Sequence, residues 1–295
     1  MSYVVTGATG QVGSTVVDYL LKQSVPVHVV IRSAAKAESF RSRNIQVTIA
    51  DLTDVEGLTK AFEGAKAVFA MNPPAYEKLD MQAVATSVSN ALASAIKAAK
   101  VERVVVLSSI GSERSSKTGS IYTTHILEEA LKESASQVVM IRAGSFTENW
   151  LSAVSAVKDG HSPVLGSVFQ KLDQKISHVA TNDIGRVASE YMLKTKGDIN
   201  GLVIVELEGP ELYSPNDIAK VVSDGLGKSI LASAMSEEMM RELFNKFQWP
   251  KKNADDFIEM VQGFDDGTIC WTTNEKVIRV KGKVTAADVL KKVLN

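Results

Sequence analysis

The sequence predicts an α/β fold, in which a doubly wound parallel sheet is joined to a smaller, mainly helical C-terminal substrate domain. Two observations support this prediction. Short runs of Val, Ile and Leu alternate with helix-like segments up to about residue 150. The runs are apolar throughout, as is typical of parallel strands that are covered by helices on both faces. Such strand–helix alternation builds right-handed crossovers and therefore a parallel sheet.

Six strands and five intervening helices follow in order. The strands are predicted at residues 4–5, 27–31, 45–49, 67–71, 104–107 and 138–141. The helices are predicted at residues 13–23, 36–43, 55–62, 81–100 and 125–133. In the helix at 81–100, apolar residues recur at every fourth position, namely Val84, Val88, Leu92 and Ile96. This stripe predicts a helix that packs on the sheet, and the alternative is the interface of a homodimer.

Beyond residue 150 the alternation is less regular. A helix is predicted at 183–194 and a strand at 202–207, and Ser214 with Pro215 begins a helix that ends at Leu226 before Gly227. From residue 236 the chain is amphipathic and helical. We assign residues 1–150, completed by 179–207, to the larger domain, and residues 151–178 and 208–295 to the smaller substrate or lid domain. The aromatic residues of that lid form either its core or an apolar binding surface; they are Phe244, Phe247, Trp249, Phe257, Phe264 and Trp271.

The composition narrows the classes of function. A formal net charge of −1 does not predict nucleic acid or an anionic membrane as a partner. No apolar run approaches the roughly 18 residues that cross a bilayer. Cys270 is the only cysteine, which excludes an internal disulfide and predicts a reducing, cytoplasmic location. Together with four scattered histidines, this cysteine gives no spacing that is typical of metal ligands.

Three glycines at intervals of three residues follow the first strand directly. Gly7 allows a tight turn, Gly10 lets the backbone approach a pyrophosphate, and Gly13 lets the helix pack closely on the strand. The helix then directs unpaired N–H groups at the phosphates. An ordinary tight turn is the alternative, but strand, loop, helix and second strand follow at the spacing of a Rossmann-type dinucleotide-binding domain. The predicted cofactor-binding residues of this loop are Gly7, Thr9, Gly10, Gln11, Val12 and Gly13.

The end of the second strand favours NADPH over NADH. A carboxylate at this position would bind the ribose 2′-OH of NAD and repel a 2′-phosphate. The chain instead has Arg32 there, followed by Lys36. The guanidinium fork and the nearby ammonium group suit a phosphate, and a solvated basic loop is the alternative.

Two further loops are predicted to border the cofactor. After the third strand, the Asp51 carboxylate could accept the adenine amine and Leu52 could cover the ring. The alternative for Asp51 is an N-cap, with Asp54, for the next helix. After the fourth strand, Asn72 and Pro73 begin a stiff segment that could face the cofactor, and a plain rigid turn is the alternative.

Longer motifs add a resemblance to a known family. The motifs are TGATGQVG (6–13), LSSIGS (107–112), HILEEAL (125–131), IRAGSFTEN (141–149), DIGRVASEYML (183–193) and SPNDIAKVVSDGLGKSI (214–230). Together with the basic residues at 32 and 36, these motifs resemble those of NmrA-like proteins, which are atypical short-chain dehydrogenases/reductases that include quinone oxidoreductases and triphenylmethane reductases. The likeness covers about the first three quarters of the chain.

The resemblance implies an NADPH-dependent oxidoreductase that reduces a quinone or a similar conjugated, hydrophobic acceptor. It implies that Ser108 contacts the cofactor near the nicotinamide and that Ser109 contacts the substrate. Phe146 and Asn149 are implied to border a cleft for a small hydrophobic or aromatic substrate. The alternative is a non-catalytic, NADP(H)-binding redox sensor, because some relatives bind NADP without catalysis.

The chain departs from the short-chain pattern at the proton donor. The usual pair of Tyr and Lys is absent, since Tyr122 is followed by Thr123, Thr124, His125 and Ile126. This absence keeps the sensor hypothesis open and argues against a sugar-nucleotide epimerase. Relatives often carry a His or Lys just before this helix, a position that falls on Thr124 or, one residue later, on His125. We take His125 as the first candidate for proton donor and Tyr122 as the second, with a structural hydrogen bond as the alternative role of His125.

Overall fold

The computed structural model describes residues 2–195, 197–273 and 276–294. Positions 1, 196, 274, 275 and 295, which the predicted domain ranges include, lie outside the described residues. The strands in the described part are β1 (Tyr3–Thr6), β2 (Val27–Ile31), β3 (Gln46–Ile49), β4 (Ala67–Ala70), β5 (Arg103–Ser109), β6 (Gln137–Ala143), β7 (Ser145–Phe146), β8 (Leu165–Ser167), β9 (Ile176–Val179), β10 (Gly201–Glu208), β11 (Leu212–Tyr213), β12 (Ala232–Ala234) and β13 (Ile278–Lys281).

The α-helices of the same residues alternate with these strands as far as β6. They are α1 (Gln11–Lys22), α2 (Ala37–Arg41), α3 (Val55–Phe62), α4 (Met81–Ala98), α5 (Tyr122–Leu131), α6 (Leu151–Lys158), α7 (Thr181–Leu193), α8 (Pro215–Leu226), α9 (Glu237–Lys246), α10 (Lys251–Asp266) and α11 (Ala286–Leu294). None of these helices is both long and apolar enough to cross a membrane.

The central sheet has eight strands in the order β3-β2-β1-β4-β5-β6-β10-β13. Neighbouring strands are parallel at every described pairing in this sheet. The predicted Rossmann-type, doubly wound sheet is therefore confirmed. The strand order reverses its direction between β1 and β4, and in such sheets the crevice at the carboxyl ends of these two strands is the place where a ligand binds.

Helices cover both faces of the sheet and bury one core on each. On one face α1 and α7 contribute residues such as Val16 and Val187, and on the other α3, α4 and α5 contribute Leu58, Leu92 and Leu127. The α4 stripe is part of the second core, since Val88, Leu92 and Ile96 are buried and Val84 is partly buried. The prediction that this stripe packs on the sheet is confirmed, so the stripe does not form an exposed dimer interface.

Outside the central sheet lie a three-stranded sheet (β11-β9-β7), a two-stranded sheet (β12-β8) and helices α6 and α8–α11, which together are called the smaller unit below. The predicted start and end of α8 are confirmed: Ser214 forms a capping box with Asp217, and Gly227 ends the helix with φ = +65°. The range 208–295 needs one correction, because β13 pairs with β10 in the central sheet. As a mostly exposed edge strand, β13 lacks the buried apolar run that identified the other strands of that sheet.

The three-stranded sheet contains a histidine that is buried in its neutral form. His178 on β9 is 1% exposed and contacts the rings of Trp150, Phe169 and Tyr213. The indole Nε1–H of Trp150 donates to His178 Nε2 at 3.0 Å, and His178 Nδ1 donates to the Ile176 carbonyl at 3.3 Å. Burial lowers the pKa of His178 to about 4, partly opposed by the bond to Ile176.

We expect this histidine to make the protein sensitive to mild acid. Because the folded-state pKa lies below the unfolded-state value of about 6.5, its stabilising contribution is complete above pH 6.5 and is lost as the pH falls towards 4. Between pH 7 and pH 5 the free energy of unfolding should fall by about 2 kcal/mol from this group alone. Urea unfolding at several pH values measures it. His178→Gln should reduce the change of the unfolding free energy with pH. His161→Gln, at an exposed position, should leave that change as it is. An equal pH dependence in all three proteins would refute the assignment.

Candidate cofactor and active site

The glycine loop has the close contacts that exclude side chains at Gly7 and Gly13. Gly7 has φ = +64°, and a Cβ there would lie 2.8 Å from Met71 Sδ. A Cβ at Gly13 would lie 2.1 Å from the Gly7 carbonyl oxygen, whereas one at Gly10 would lie 3.3 Å from the same atom. The Gly10 N–H donates to the Gly7 carbonyl at 2.9 Å and closes the turn. Gly7 and Gly13 are therefore required by the fold itself, and Gly10 leaves its side of the loop open.

The N-terminus of α1 presents free donors beside this loop. Gly10 is the N-cap and offers no side chain to the first turn, and the first bond back to it comes from Ser14 N–H at 3.0 Å. The N–H groups of the residues between them have no acceptor inside the helix. Thr9, Gly10 and Gln11 are exposed, while Val12 and Gly13 are buried against the sheet. The loop thus combines exposed backbone with the positive end of a helix dipole, which is an arrangement suited to a diphosphate.

Two cations lie beyond the end of β2. Arg32 and Lys36 are both exposed. Neither side chain forms an ion pair within residues 2–195, 197–273 and 276–294. Both side chains are therefore free to bind an anionic group.

Leu52 is less accessible than its predicted adenine contact requires, and the exposed Asp51 already uses one carboxylate oxygen. Asp51 Oδ1 accepts from the backbone and the hydroxyl of Thr53 at 2.9 and 2.7 Å, and these bonds lower its pKa, with Arg32 adding a smaller electrostatic contribution. The N-cap of α3 is Asp54, which accepts from Gly57 N–H at 3.0 Å. Leu52 is 7% exposed and packs in the core. Asp51 therefore keeps only its second carboxylate oxygen for a ligand.

Asn72 joins the end of β4 to two helices. Its side-chain amide donates to the Thr123 carbonyl at 2.9 Å and approaches the hydroxyl of Ser89 at 3.3 Å. Pro73 lies beside it and lines a narrow cavity of about 40 Å³, together with Tyr76 and Thr123. A wider depression of about 810 Å³ lies on the smaller unit beside α8 and β12, but no predicted site residue lines it.

A buried ion pair underlies the carboxyl ends of β5 and β6. Arg142 Nε and Nη2 donate to the two carboxylate oxygens of Glu128 at 2.9 and 2.6 Å. Burial lowers the pKa of Arg142, but hydrogen bonding and charge from Glu128 outweigh it and raise the pKa overall. Ser108, predicted as a cofactor contact, is 3% exposed and donates to Glu128 at 2.5 Å. Its hydroxyl proton is therefore committed to the ion pair, while Ser109 is half-buried and donates to the Ile110 carbonyl at 3.1 Å.

The two candidate proton donors lie together on the first turn of α5. The rings of Tyr122 and His125 stack with centroids 5.4 Å apart, and both residues are half-buried. His125 Nδ1 is 2.9 Å from the Ser112 carbonyl. Thr124, the other residue at the family's His or Lys position, donates its hydroxyl to the Ile121 carbonyl at 2.7 Å. The other ring nitrogen of His125, Nε2, has no hydrogen-bond partner in the described part of the chain.

Phe146 and Asn149 follow β6 towards the smaller unit. Phe146 is half-buried and lies on β7, which pairs with β9, whereas Asn149 is exposed. Between them, the buried carboxylate of Glu148 accepts from the backbone and hydroxyl of Thr181 at the start of α7, at distances from 2.7 to 3.1 Å. Glu148 therefore holds the segment that carries Phe146 and Asn149 against the start of α7.

The lid aromatics are largely core residues. Trp249 is stacked between Tyr76 and Phe244, with centroid distances of 4.2 and 4.5 Å. Phe244 and Phe264 are buried, while Phe247 is 59% exposed. The core interpretation is therefore confirmed for Phe244 and Phe264.

Helix α10 also contacts the segments that lead into the candidate active site. Its Asn253 donates to the Tyr76 and Lys78 carbonyls at 2.9 and 2.7 Å, which fixes the segment after β4. A Cβ on Gly119, which has φ = +51°, would lie 1.8 Å from the Asp256 carbonyl oxygen. The turn that leads into Tyr122 therefore rests directly on α10.

Sequence reasoning missed several residues that organise this region. Each of them forms a hydrogen bond or an ion pair in this region; they are Ser112, Glu113, Glu128, Arg142 and Glu148. One signal was available: Arg142 interrupts the apolar run of β6, and a charge in a buried strand needs a partner carboxylate. The partner itself comes from another element, so a local pattern does not identify it.

Comparison with known proteins agrees with this architecture. The model of the NmrA-like family matches residues 2–285. The NAD(P)H azoreductase of Xenophilus azovorans is 25% identical over 258 residues, which cover 87% of this chain and 85% of that protein. Quinone oxidoreductase 2 of Escherichia coli (strain K12) is 25% identical over 237 residues, which cover 79% of this chain and 77% of that protein. The structure of Citrobacter sp. triphenylmethane reductase complexed with NADP(H) has a TM-score of 0.81 and 20% identity, covering 99% of this chain and 100% of that chain.

Proposed function

The chain belongs to the NmrA-like family, and on that basis we propose that it is an NADPH-dependent reductase of quinones or similar conjugated, hydrophobic acceptors. One observation carries the proposal: an exposed glycine loop and an uncapped helix N-terminus are followed by two cations without ion-pair partners among the described residues. The two curated relatives support it, since one is named an NAD(P)H azoreductase and the other a quinone oxidoreductase.

The described residues fit the proposed cofactor. The backbone of residues 9–11 is exposed beside the start of α1, and it would bind the pyrophosphate. Arg32 and Lys36 would bind the 2′-phosphate, because their side chains are exposed and form no ion pair among the described residues. Asp51 would meet the adenine through its second carboxylate oxygen. When bound, NADPH supplies the hydride that reduces the acceptor.

The protein's own contribution to the reaction is orientation and a proton. An acceptor that becomes an alkoxide or a hydroquinone anion needs a proton donor, and His125 on α5 is the proposed one, with Tyr122 stacked on it. Phe146 and Asn149 would border the acceptor, since they follow the carboxyl end of β6. Ser109 is the last residue of β5 and would contact the substrate. Ser108 would support the end of β5 through its hydrogen bond to Glu128.

We expect Arg32→Ala to weaken NADPH binding by about 10- to 100-fold, because a charge-assisted bond to the 2′-phosphate is worth about 1.5–3 kcal/mol. NADH lacks this phosphate, so its affinity should change little. Fluorescence titration with both coenzymes measures the two dissociation constants. Arg114→Ala, which removes an exposed arginine from the loop after β5, is the control. An equal loss for both coenzymes would contradict the assignment of Arg32.

The direct test of the function is consumption of NADPH at 340 nm, followed with benzoquinones, naphthoquinones, an azo dye and a triphenylmethane dye. Turnover with at least one acceptor, faster with NADPH than with NADH, is the expected result. Tight binding of NADPH without turnover of any acceptor would contradict the reductase and favour the redox sensor. No binding would exclude both.

The proposed location is the cytoplasm. Cys270 is exposed and unpaired, as is typical of proteins in reducing compartments. The proposed substrate is a small aromatic molecule, in keeping with the acceptors that the relatives' names indicate.

A further inference from the structure

A buried serine lies beneath the candidate proton donor. Ser112 is 0% exposed and ends the tight turn that follows β5, where Gly111 has φ = +85°. Its N–H donates to the Ser109 carbonyl at 3.1 Å. The turn places both the hydroxyl and the carbonyl of Ser112 against the first turn of α5.

The hydroxyl of Ser112 belongs to a chain of hydrogen bonds with a defined direction. Thr124 donates its single hydroxyl proton to the Ile121 carbonyl at 2.7 Å. In the 2.5 Å contact between the two hydroxyls, Ser112 must therefore be the donor and Thr124 the acceptor. Ser112 Oγ in turn accepts from the Ser109 N–H at 3.3 Å. The chain joins the turn after β5 to the start of α5, and its members strengthen one another.

The carbonyl of Ser112 faces the imidazole of His125. Nδ1 of His125 lies 2.9 Å from this oxygen. A carbonyl only accepts hydrogen bonds, so Nδ1 must carry a proton. In the neutral ring the other nitrogen, Nε2, is then unprotonated, because a neutral imidazole carries a single N–H.

We propose that Ser112 is a positioning residue: its hydroxyl chain holds its own carbonyl on His125 Nδ1, so that Nε2 is the atom that exchanges a proton with the substrate. This inference rests on the proposed reductase function. Without the hydroxyl of Ser112, the bond between the turn and α5 is lost, and the ring is free to adopt either tautomer. The role differs from that of a catalytic residue, because Ser112 is buried and touches His125 and Thr124 rather than the substrate.

The proton balance follows from this arrangement. Reduction of the acceptor adds one hydride and one proton. The proton leaves Nε2 of the imidazolium ion for the acceptor oxygen, and His125 remains neutral with its proton on Nδ1. Solvent then returns a proton to Nε2. Nδ1 takes no part, because its proton is held by the Ser112 carbonyl throughout.

Two elements of the described structure place titratable groups on or near the segment that holds His125. On α5, Tyr122 stacks on the ring, and the carboxylate of Glu129 interacts electrostatically with it. On the turn after β5, Glu113 adjoins Ser112 and forms an ion pair with Arg142 at 3.5 Å.

Nitrogen NMR tests the proposal without any turnover. The chain has four histidines, so long-range ¹H–¹⁵N spectra contain four imidazole patterns, and His125→Gln identifies the relevant one. We expect neutral His125 to show a protonated Nδ1 and a bare Nε2 in the wild-type protein. Ser112→Ala should shift the pattern towards a mixture of both tautomers. A proton on Nε2 in the wild type, or an unchanged pattern in Ser112→Ala, would overturn the proposal.

Two further variants keep the test decisive. Ser134→Ala is the matched control, because this buried serine also bonds a backbone carbonyl, at the other end of α5, at 2.8 Å. It should leave the His125 pattern unchanged. If Ser112→Ala does not fold, Thr124→Val removes the other hydroxyl of the chain and should produce the same tautomer mixture, whereas Thr124→Ser should restore the wild-type pattern.

Kinetics separate this inference from the function on which it rests. With a quinone acceptor, Ser112→Ala should lower kcat by about 10- to 100-fold, which is the range of an impaired acid catalyst, with little change in KM for NADPH. The pH dependence of the Ser112→Ala rate should also differ from that of the wild type. An unchanged kcat and pH profile would overturn the positioning role. Absence of turnover in the wild type, with the predicted NMR pattern intact, would contradict the reductase function alone.

Discussion

Gly10→Ala will weaken NADPH binding by about 30-fold while leaving the stability of the free protein nearly unchanged. The added Cβ would lie 3.3 Å from the Gly7 carbonyl, which needs only a small local shift, but it would occupy the side of the loop from which the pyrophosphate approaches. Overpacking at such a contact costs about 1–3 kcal/mol, and about 2 kcal/mol of this corresponds to the 30-fold loss.

Gly13→Ala separates the loop's structural role from its binding role. There the Cβ would lie 2.1 Å from the Gly7 oxygen and 2.6 Å from its carbonyl carbon, so the fold itself must distort. Thermal unfolding and coenzyme titration of both variants measure the two effects. Gly166→Ala is the control, because its Cβ would meet Met235 at an ordinary 3.8 Å. Wild-type affinity in Gly10→Ala would contradict the assignment of the pyrophosphate to this loop.

We expect Arg142→Met to destabilise the protein by about 3–5 kcal/mol, which is the usual cost of leaving one member of a buried ion pair without its partner. Arg142 and Glu128 are 8% and 7% exposed, so solvent cannot compensate the orphaned carboxylate. The bond from Ser108 is the only other hydrogen bond to the Glu128 carboxylate in the described part of the chain. Urea unfolding at neutral pH gives the free energy directly.

The double variant Arg142→Met/Glu128→Met should recover most of this loss. Replacing both charges with apolar side chains removes the uncompensated charge, and such replacements are often neutral. Arg241→Met, which breaks exposed ion pairs with Glu237 and Asp255, should change stability little. A double variant as unstable as Arg142→Met would show that the pair acts through its shape rather than its charge.

The elements that depend on local patterns could be predicted from the sequence. The helix at 55–62 has the bounds of α3, and the capped start of α8 at Ser214 follows from the Ser-Pro pair. The glycine spacing predicted the loop and its helix, because each glycine has a separate steric reason that can be inferred from position alone.

The parts that sequence reasoning missed depend on contacts between distant segments. β13 joins the central sheet 70 residues or more after β10, and its exposed edge carries no apolar run. The pair Glu128–Arg142 links a helix to a strand, and the Ser112 hydroxyl chain links a turn to the next helix. Periodicity describes one element at a time, so such partners become visible only when the fold brings the elements together.

Isothermal titration of the wild-type protein with NADPH tests the central claim most directly. The account predicts saturable binding with one coenzyme per chain, and at least about tenfold weaker binding of NADH, because only NADPH reaches Arg32 and Lys36 through a 2′-phosphate. No heat with NADPH, together with no shift in thermal unfolding at saturating coenzyme, would contradict it.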